Sequence, residues 1–494
     1  MAAVALRSGG LLAQEAAAVV DAPCGRLRGV VVADGVRVFK GVPFAEPPVG
    51  PLRFRAPVKK AAWSGELAAT KLAPGAMQSA GPSTPVSEDC LYLNVFAPAE
   101  GVAKGQGLPV LVWIHGGGNV SGRSSGTDGV SFARDGVVCV TVAYRLGVLG
   151  FLDVSPMLGK EYVGSANNGL RDLIAALEWV QENIAAFGGD PARVTVGGQS
   201  AGAKLTDTLL GTPAAESLFT QGISESGGAE RVWATAAESE ALGGFFGKLW
   251  KTGSVGSLLS ASADAIVQAQ GKLLKEWPHA RPFRPAIDGA LLKQMPMAAI
   301  ASGAAKGKRV LIGTSREDSV VFVGPHPSTV KAQDLMSLPE ERFAPVEAKY
   351  AALYPQLTEE QRRVRAVTAE EYWVPSVRAA DALVSGSASV WMYLTEFHEG
   401  SGKFGDFSYH GEELSMVWSH PLKGIANADG EATLTVAMHA AWLAFLNGAT
   451  PAGPGMPAWP LYKPGERQTL IVDVPMRVES RPQEAELRLW DGVM

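Results

Sequence analysis

One serine in this sequence stands where its hydroxyl could act as a nucleophile. The stretch RVTVGGQSAGAKLTDTLL reads as an apolar strand, a Gly198-Gln199-Ser200-Ala201-Gly202 turn, and then a helix. A serine on so sharp a turn takes a strained backbone, and the glycines on either side remove side chains that would clash where strand and helix cross. The helix that starts near Ala201 also aims unpaired N–H groups and its positive dipole end at developing negative charge. The chemistry this predicts is acyl transfer through a covalent serine intermediate. A GxSxG match arises readily in a chain with 57 glycines, so the strand before it and the helix after it carry the inference.

A second element supports the same chemistry. In VLVWIHGGGNVSG, Gly116 to Gly118 follow a buried strand. In α/β-hydrolases the loop after the third strand supplies oxyanion-binding N–H groups beside that of the residue following the nucleophile, which assigns Gly117, Gly118 and Ala201 as donors. A phosphate-cradling loop is excluded, since no GK[ST] follows and no GxGxxG spacing precedes a helix. His115, just before the glycines, is read as shaping that loop. The serine also needs an imidazole base and a carboxylate to orient it. Of seven histidines, the chain order Ser, acid, His leaves His326, His398, His410, His420 and His439. His439 falls in a helical pattern and His398 ends a strand, whereas His410 lies in a loop after that strand; His279 falls in an insertion.

These residues need a scaffold. The 494 residues are 47% hydrophobic and 19% charged, an ordinary globular composition able to bury a large core. A net charge of -5 from mixed positions shows no basic face for nucleic acid. No apolar run reaches the ~20 residues of a membrane-spanning helix. Three cysteines without CxxC spacing signal neither a zinc site nor a disulfide framework.

The segment GRLRGVVVADGVRVFKGVPFA predicts a hairpin turning at Asp34-Gly35. LNVFAP, LPVLVWIHG, GVVCVTVAYR, RVTVGGQ, GKRVLIGTS and SVWMYLTEF predict further strands, the continuous apolar runs among them being buried on both faces. NNGLRDLIAALEWVQEN and TVAMHAAWLAFLNG predict helices. The fold class is therefore α/β, a mostly parallel central sheet flanked by helices. Residues 21–494 read as one domain, with cap-like insertions at about 233–305 and 326–385 over the site. Residues 1–20 read as an N-terminal arm or the remnant of an export signal, which leaves cytoplasmic, periplasmic and secreted locations all compatible.

Taken together, FKGVPFAEPPVGPLRF, SEDCLYLNVFAP, VWIHGGGNVSG, VAYRLGVLGFL, GGQSAG, SESGG, IGTSREDS and HGEEL resemble, in order, the type B carboxylesterase family, the group that also contains cholinesterases, bacterial para-nitrobenzyl esterases and the non-catalytic neuroligins. The resemblance implies a single α/β-hydrolase domain with a deep gorge, a small-molecule ester substrate, and no metal or cofactor. It implies His410 as the base and, with the family's GTxRDE segment laid on Gly313 and Thr314, Asp318 as the acid. Glu317-Asp318 stands where the reverse order is usual, so Glu317 is the competing acid.

The resemblance also implies buried ion pairs Arg53–Glu88 and Arg145–Asp172, and a serine near the triad at Ser226. The family's first disulfide would join Cys90 to position 76, but Ala76 stands there, which leaves Cys90 unpaired. Asn119 and Arg123 follow the oxyanion glycines and Lys204 follows the start of the helix after the elbow; they read either as solvated surface charge or as a polar pocket suited to carboxylate-bearing esters, such as the polycarboxylate esters of fumonisins. The alternatives are a neuroligin-like binding protein, or an amidase or lactonase using the same triad.

Overall fold

The apolar runs form the centre of one sheet because each of their two faces meets a separate core. In the strand Leu108–Ile114, Val110, Val112 and Ile114 enter one hydrophobic cluster while Leu111 and Trp113 enter the other. That alternation is what a strand with helices on both sides requires. In this computed structural model, residues 17–79, 85–98, 107–228, 233–250, 253–324 and 338–494 are described.

The sheet has 13 strands among the described residues. We label those on its main path β1 (Ala17–Ala22), β2 (Gly25–Val31), β3 (Arg37–Pro43), β4 (Tyr92–Ala97), β5 (Leu108–Ile114), β6 (Val138–Val142), β7 (Gly189–Gln199), β8 (Gln221–Glu225), β9 (Arg309–Ser315), β10 (Ser389–Thr395), β11 (Gln468–Val472) and β12 (Arg477–Ser480). Their order is β1-β2-β3-β4-β6-β5-β7-β8-β9-β10-β11-β12. From β6 through β11 neighbours are parallel, whereas β1 to β4 and the final β11–β12 pair are antiparallel. The expected hairpin is present, with Val30 opposite Val38 across Asp34-Gly35.

Three sequence expectations are corrected. Residues 17–20, assigned to the arm, belong to β1 and pair with β2, because their alternating pattern buries Ala18 and Val20. The rest of the arm, residues 1–16, lies outside the described residues, as does His326. Strands β11 and β12 were not anticipated, being only five and four residues long among charged neighbours. The C-terminal helix is longer than its apolar core, running over Ala428–Leu446.

Helix α1 (Asn168–Asn183) packs on one face of the sheet through Leu173, Leu177 and Val180, and Gly188 ends the following turn at φ 95°. Helix α2 (Ala201–Leu210) follows β7. The region 233–305 carries α3 (Ala236–Leu249) and α4 (Ala263–Glu276). Within 338–385 lie α5 (Glu359–Thr368) and α6 (Val374–Ser385), and α7 (Ala428–Leu446) covers the opposite sheet face through Met438, Trp442 and Phe445.

Both buried ion pairs are formed. Arg145 Nε and Nη2 donate to Asp172 at 2.8 and 2.7 Å, its backbone N adds a third bond at 3.0 Å, and Asp172 is fully buried. Arg53 grips Glu88 and also donates through Nη1 to Leu258 O and Ala261 O, both at 2.8 Å, which ties the 233–305 region to the sheet. Cys90 is buried and unpaired. Replacing Asp172 with Ala strands the Arg145 guanidinium in the core, so we expect unfolding in urea to show a loss of about 3 to 5 kcal/mol. A loss under 1 kcal/mol would mean the pair is dispensable.

Candidate active site

Strand β7 delivers Ser200 at a crossing so tight that only glycines fit around it. A Cβ on Gly202 would lie 2.0 Å from Ile114 O, and one on Gly198 would lie 2.5 Å from Gly202 C. Ser200 itself sits at φ 58°, ψ −125°, a region that L residues seldom occupy. Its N–H donates to Glu225 O at 2.8 Å and its O accepts from Lys204 N at 2.9 Å, so the strained turn is held from β8 and from α2.

The loop after β5 lies against this turn. A Cβ on Gly116 would be 3.0 Å from Ser200 Cβ, and Gly117, Gly118 and Asn119 all have positive φ. Such a run turns successive N–H groups toward one side. Among the described residues, no protein acceptor takes the N–H of Gly117, Gly118 or Ala201. His115 stacks on Tyr144 at 4.6 Å between ring centroids, and Tyr144 Oη donates to His115 O at 2.9 Å. Burial lowers the His115 imidazole to about 4, so it is a neutral support for the loop.

The end of β9 and the loop after β10 bring together an acid and an imidazole. His410 Nδ1 lies 2.5 Å from Asp318 Oδ1. A carboxylate can only accept here, so Nδ1 carries the proton and Nε2 keeps its lone pair. Nε2 is buried with no hydrogen-bond partner among the described residues. The other oxygen of Asp318 accepts from Ser226 Oγ at 2.9 Å and Ser315 N at 2.8 Å, which fixes the shorter acid although it lacks a methylene. Glu317 points elsewhere, to Arg365 at 2.7 Å and to Ser408 N at 3.1 Å. Phe322 and Tyr372 flank the His410 ring, each at 5.1 Å.

The competing histidines are engaged away from this point. His398 faces Gly405 O, and His439 lies between Val417 O and Asp135. His279 sits beside Trp277, and His420 is outside the cavity that Ser200 and His410 line. Beneath Asp318, burial pushes the Glu225 carboxyl up to about 8 and, with Glu225 and Asp318 adding, the Glu413 carboxyl well above its usual range. Both are held toward the neutral form, which weakens their pull on an imidazolium.

Ser200, His410, Gly117, Gly118 and Ala201 line one cavity of about 430 Å³. Of the polar residues expected there, Asn119 and Lys204 line it and Arg123 does not. The chain turns at Gly122, which Gln78 brackets at 2.8 and 3.0 Å, and Arg123 then starts a short turn away from the lining. The cavity's cationic wall instead includes Arg281 and Arg284, which sequence reading missed; WPHARPFRP has no pattern that marks them as inward-facing. Lys204 and Arg281 both pair with Glu371, and Asn119 Nδ2 donates to Phe283 O at 3.0 Å. A larger groove of about 740 Å³ runs along α1 and contains none of these groups. Among the described residues no cluster of His, Cys, Asp or Glu is placed to hold a metal ion, and no helix is long and apolar enough to cross a membrane.

Residues 16–490 match the model of the carboxylesterase family. A para-nitrobenzyl esterase of Bacillus subtilis (strain 168) is 37% identical over 489 residues, covering 94% of this chain and 96% of that protein. A fumonisin B1 esterase of Sphingopyxis macrogoltabida is 34% identical over 456 residues, covering 87% and 82% respectively. A solved carboxylesterase of Geobacillus stearothermophilus superposes with a TM-score of 0.84 at 33% identity, over 96% of this chain and 99% of that one. These relatives are esterases and favour neither a binding protein nor an amidase or lactonase. The fold is that of the α/β-hydrolases, and a likeness running nearly end to end places the chain in the carboxylesterase family as a serine hydrolase of carboxylic esters.

Proposed function

We propose that Ser200, His410 and Asp318 carry out the hydrolysis, with Gly117, Gly118 and Ala201 holding the oxyanion. The observation that carries this reading is the 2.5 Å contact of His410 Nδ1 with Asp318, in the cavity that Ser200 lines. Ser200 Oγ attacks the ester carbonyl as His410 Nε2 takes its proton. The three amides bind the resulting oxyanion, and Asp318 stabilises the imidazolium. Collapse of the tetrahedral intermediate breaks the C–O bond, and the imidazolium protonates the departing alcohol. Water then attacks the acyl-serine, giving its proton to His410, and the acid leaves as Ser200 regains its hydrogen.

We expect Ser200→Ala to abolish turnover of p-nitrophenyl acetate and Asp318→Asn to lower kcat by about 10⁴-fold. Intact-mass measurement after treatment with a p-nitrophenyl phosphonate should show one adduct, on Ser200. A fully active Asp318→Asn variant would sink the assignment of the acid.

The finer reading is a preference for esters whose acid part bears a further carboxylate. Its support is the cationic wall of Lys204, Arg281 and Arg284, together with a relative named for hydrolysing fumonisin B1, a polycarboxylate ester. Burial disfavours the charge on Arg281, but Glu371, Tyr372 and Asp318 together more than offset this, so the guanidinium stays charged. An anionic acyl group entering here would exchange water for a charge-assisted bond. We expect p-nitrophenyl hydrogen succinate to be preferred over p-nitrophenyl butyrate, and Arg281→Gln to cut that preference about 10-fold, a charged hydrogen bond being worth ~1.5 kcal/mol. An unchanged kcat/KM ratio in the variant counts against it.

A further inference from the structure

Two acids stand side by side after β9, and they hold different parts of the same machinery. Asp318 meets the His410 ring. Glu317 holds the backbone that carries that ring: its N–H donates to Ser408 O at 2.9 Å, and its Oε2 accepts from Ser408 N at 3.1 Å. This is a two-point grip on the residue two positions before His410. Ser408 is almost fully buried, and its Oγ donates to Thr395 O at 2.8 Å at the end of β10.

The other oxygen of Glu317 reaches into the region above the sheet. Oε1 pairs with Arg365 Nε at 2.7 Å, and Arg365 lies on α5 with little exposure. The same helix reaches back a second time, as Thr368 Oγ1 accepts from Ser319 N at 3.0 Å. Beyond Thr368 the chain continues into Ala369–Trp373, which brings Glu371 to the cavity wall and Tyr372 against the His410 ring. The groups facing Arg365 from other elements are Tyr354, whose ring lies 5.4 Å away, the Arg316 guanidinium and the buried Glu486 carboxyl.

We propose that Glu317 is a positioning residue for His410: by bridging Arg365 and Ser408 it fixes the loop so that the imidazole meets Asp318, and it makes α5 part of the catalytic geometry. This rests on reading His410 as the base and Asp318 as its partner. The reversed acid order thereby divides two tasks between neighbours, one carboxylate for the ring and one for the loop. A plain structural ion pair would differ in one respect, since its loss would lower stability and leave the folded enzyme's chemistry unchanged.

The test uses the full chain, with p-nitrophenyl acetate for kcat, KM and the pH profile, a p-nitrophenyl phosphonate for the single-turnover rate at Ser200, and thermal melting as the control. A loop displaced by about 1 Å should make Glu317→Ala lose about 10- to 100-fold in both kcat and phosphonylation rate, with KM within about 3-fold. The acid limb of its kcat/KM profile should move to lower pH, because an imidazolium less well supported by Asp318 loses its proton more easily. Glu317→Gln, whose amide oxygen still accepts from Ser408 N, should recover to within about 5-fold of the parent. If Glu317→Ala fails to fold, Arg365→Gln reads the same bridge from its other end and should lower kcat with the same direction of pH shift.

Parental kcat and pH profile in Glu317→Ala, or in Arg365→Gln where that variant is needed, with only a lower melting temperature, overturn the proposal. So does a collapse of Glu317→Gln as deep as that expected for Asp318→Asn, which would make Glu317 the triad acid itself. An unimpaired Asp318→Asn is a separate failure, that of the underlying triad reading.

Discussion

The close crossing of β7 and α2 over the end of β5 is the constraint on which the site depends. With Gly202 against Ile114 O there is no room for a side chain, and Ser200 is forced to φ 58° between them. The strain is sustained because the elements around it are over-determined: Ser200 N is bound to β8, and the parallel strands on both sides are buried. The same crossing sets Gly116 against Ser200 Cβ, so the Gly116 to Gly118 loop and Ser200 are placed by one packing contact.

Burial then sorts the charges. Buried carboxyls lie near Asp318, yet among the described residues only Asp318 has both the ring and two further donors within bonding distance. Glu225 receives a single bond from Trp442 at 2.9 Å, and desolvation holds it toward the neutral form. Glu412 is pushed up to about 10 by burial first and by Glu399 and Glu413 next. Low dielectric makes the difference in hydrogen bonding decisive, because an ionised carboxylate there must be well satisfied to persist.

The regions outside the sheet contribute much of the cavity wall. Arg281 and Phe283 come from one of them and Glu371 and Tyr372 from the other, and they meet around the cavity that Ser200 lines. Their charges are interlocked through Glu371, so the wall is polar without being a simple cationic patch.

Much of this was legible in the residues because it rests on local rules. The elbow, the glycine run, the apolar strands and the hairpin each follow from spacing over a few residues, where backbone sterics and burial period leave little choice. Histidine order along the chain narrowed the base to five positions, and resemblance, not spacing, singled out His410 and Asp318. What only the tertiary structure decided are contacts between distant segments. It turned Asp318 inward to the ring and Glu317 outward to Arg365, put Arg281 in the cavity and left Arg123 beside it, and drew residues 17–20 into the sheet. Adjacent residues of like chemistry diverge in this way because side-chain direction and partner depend on packing that no local pattern records.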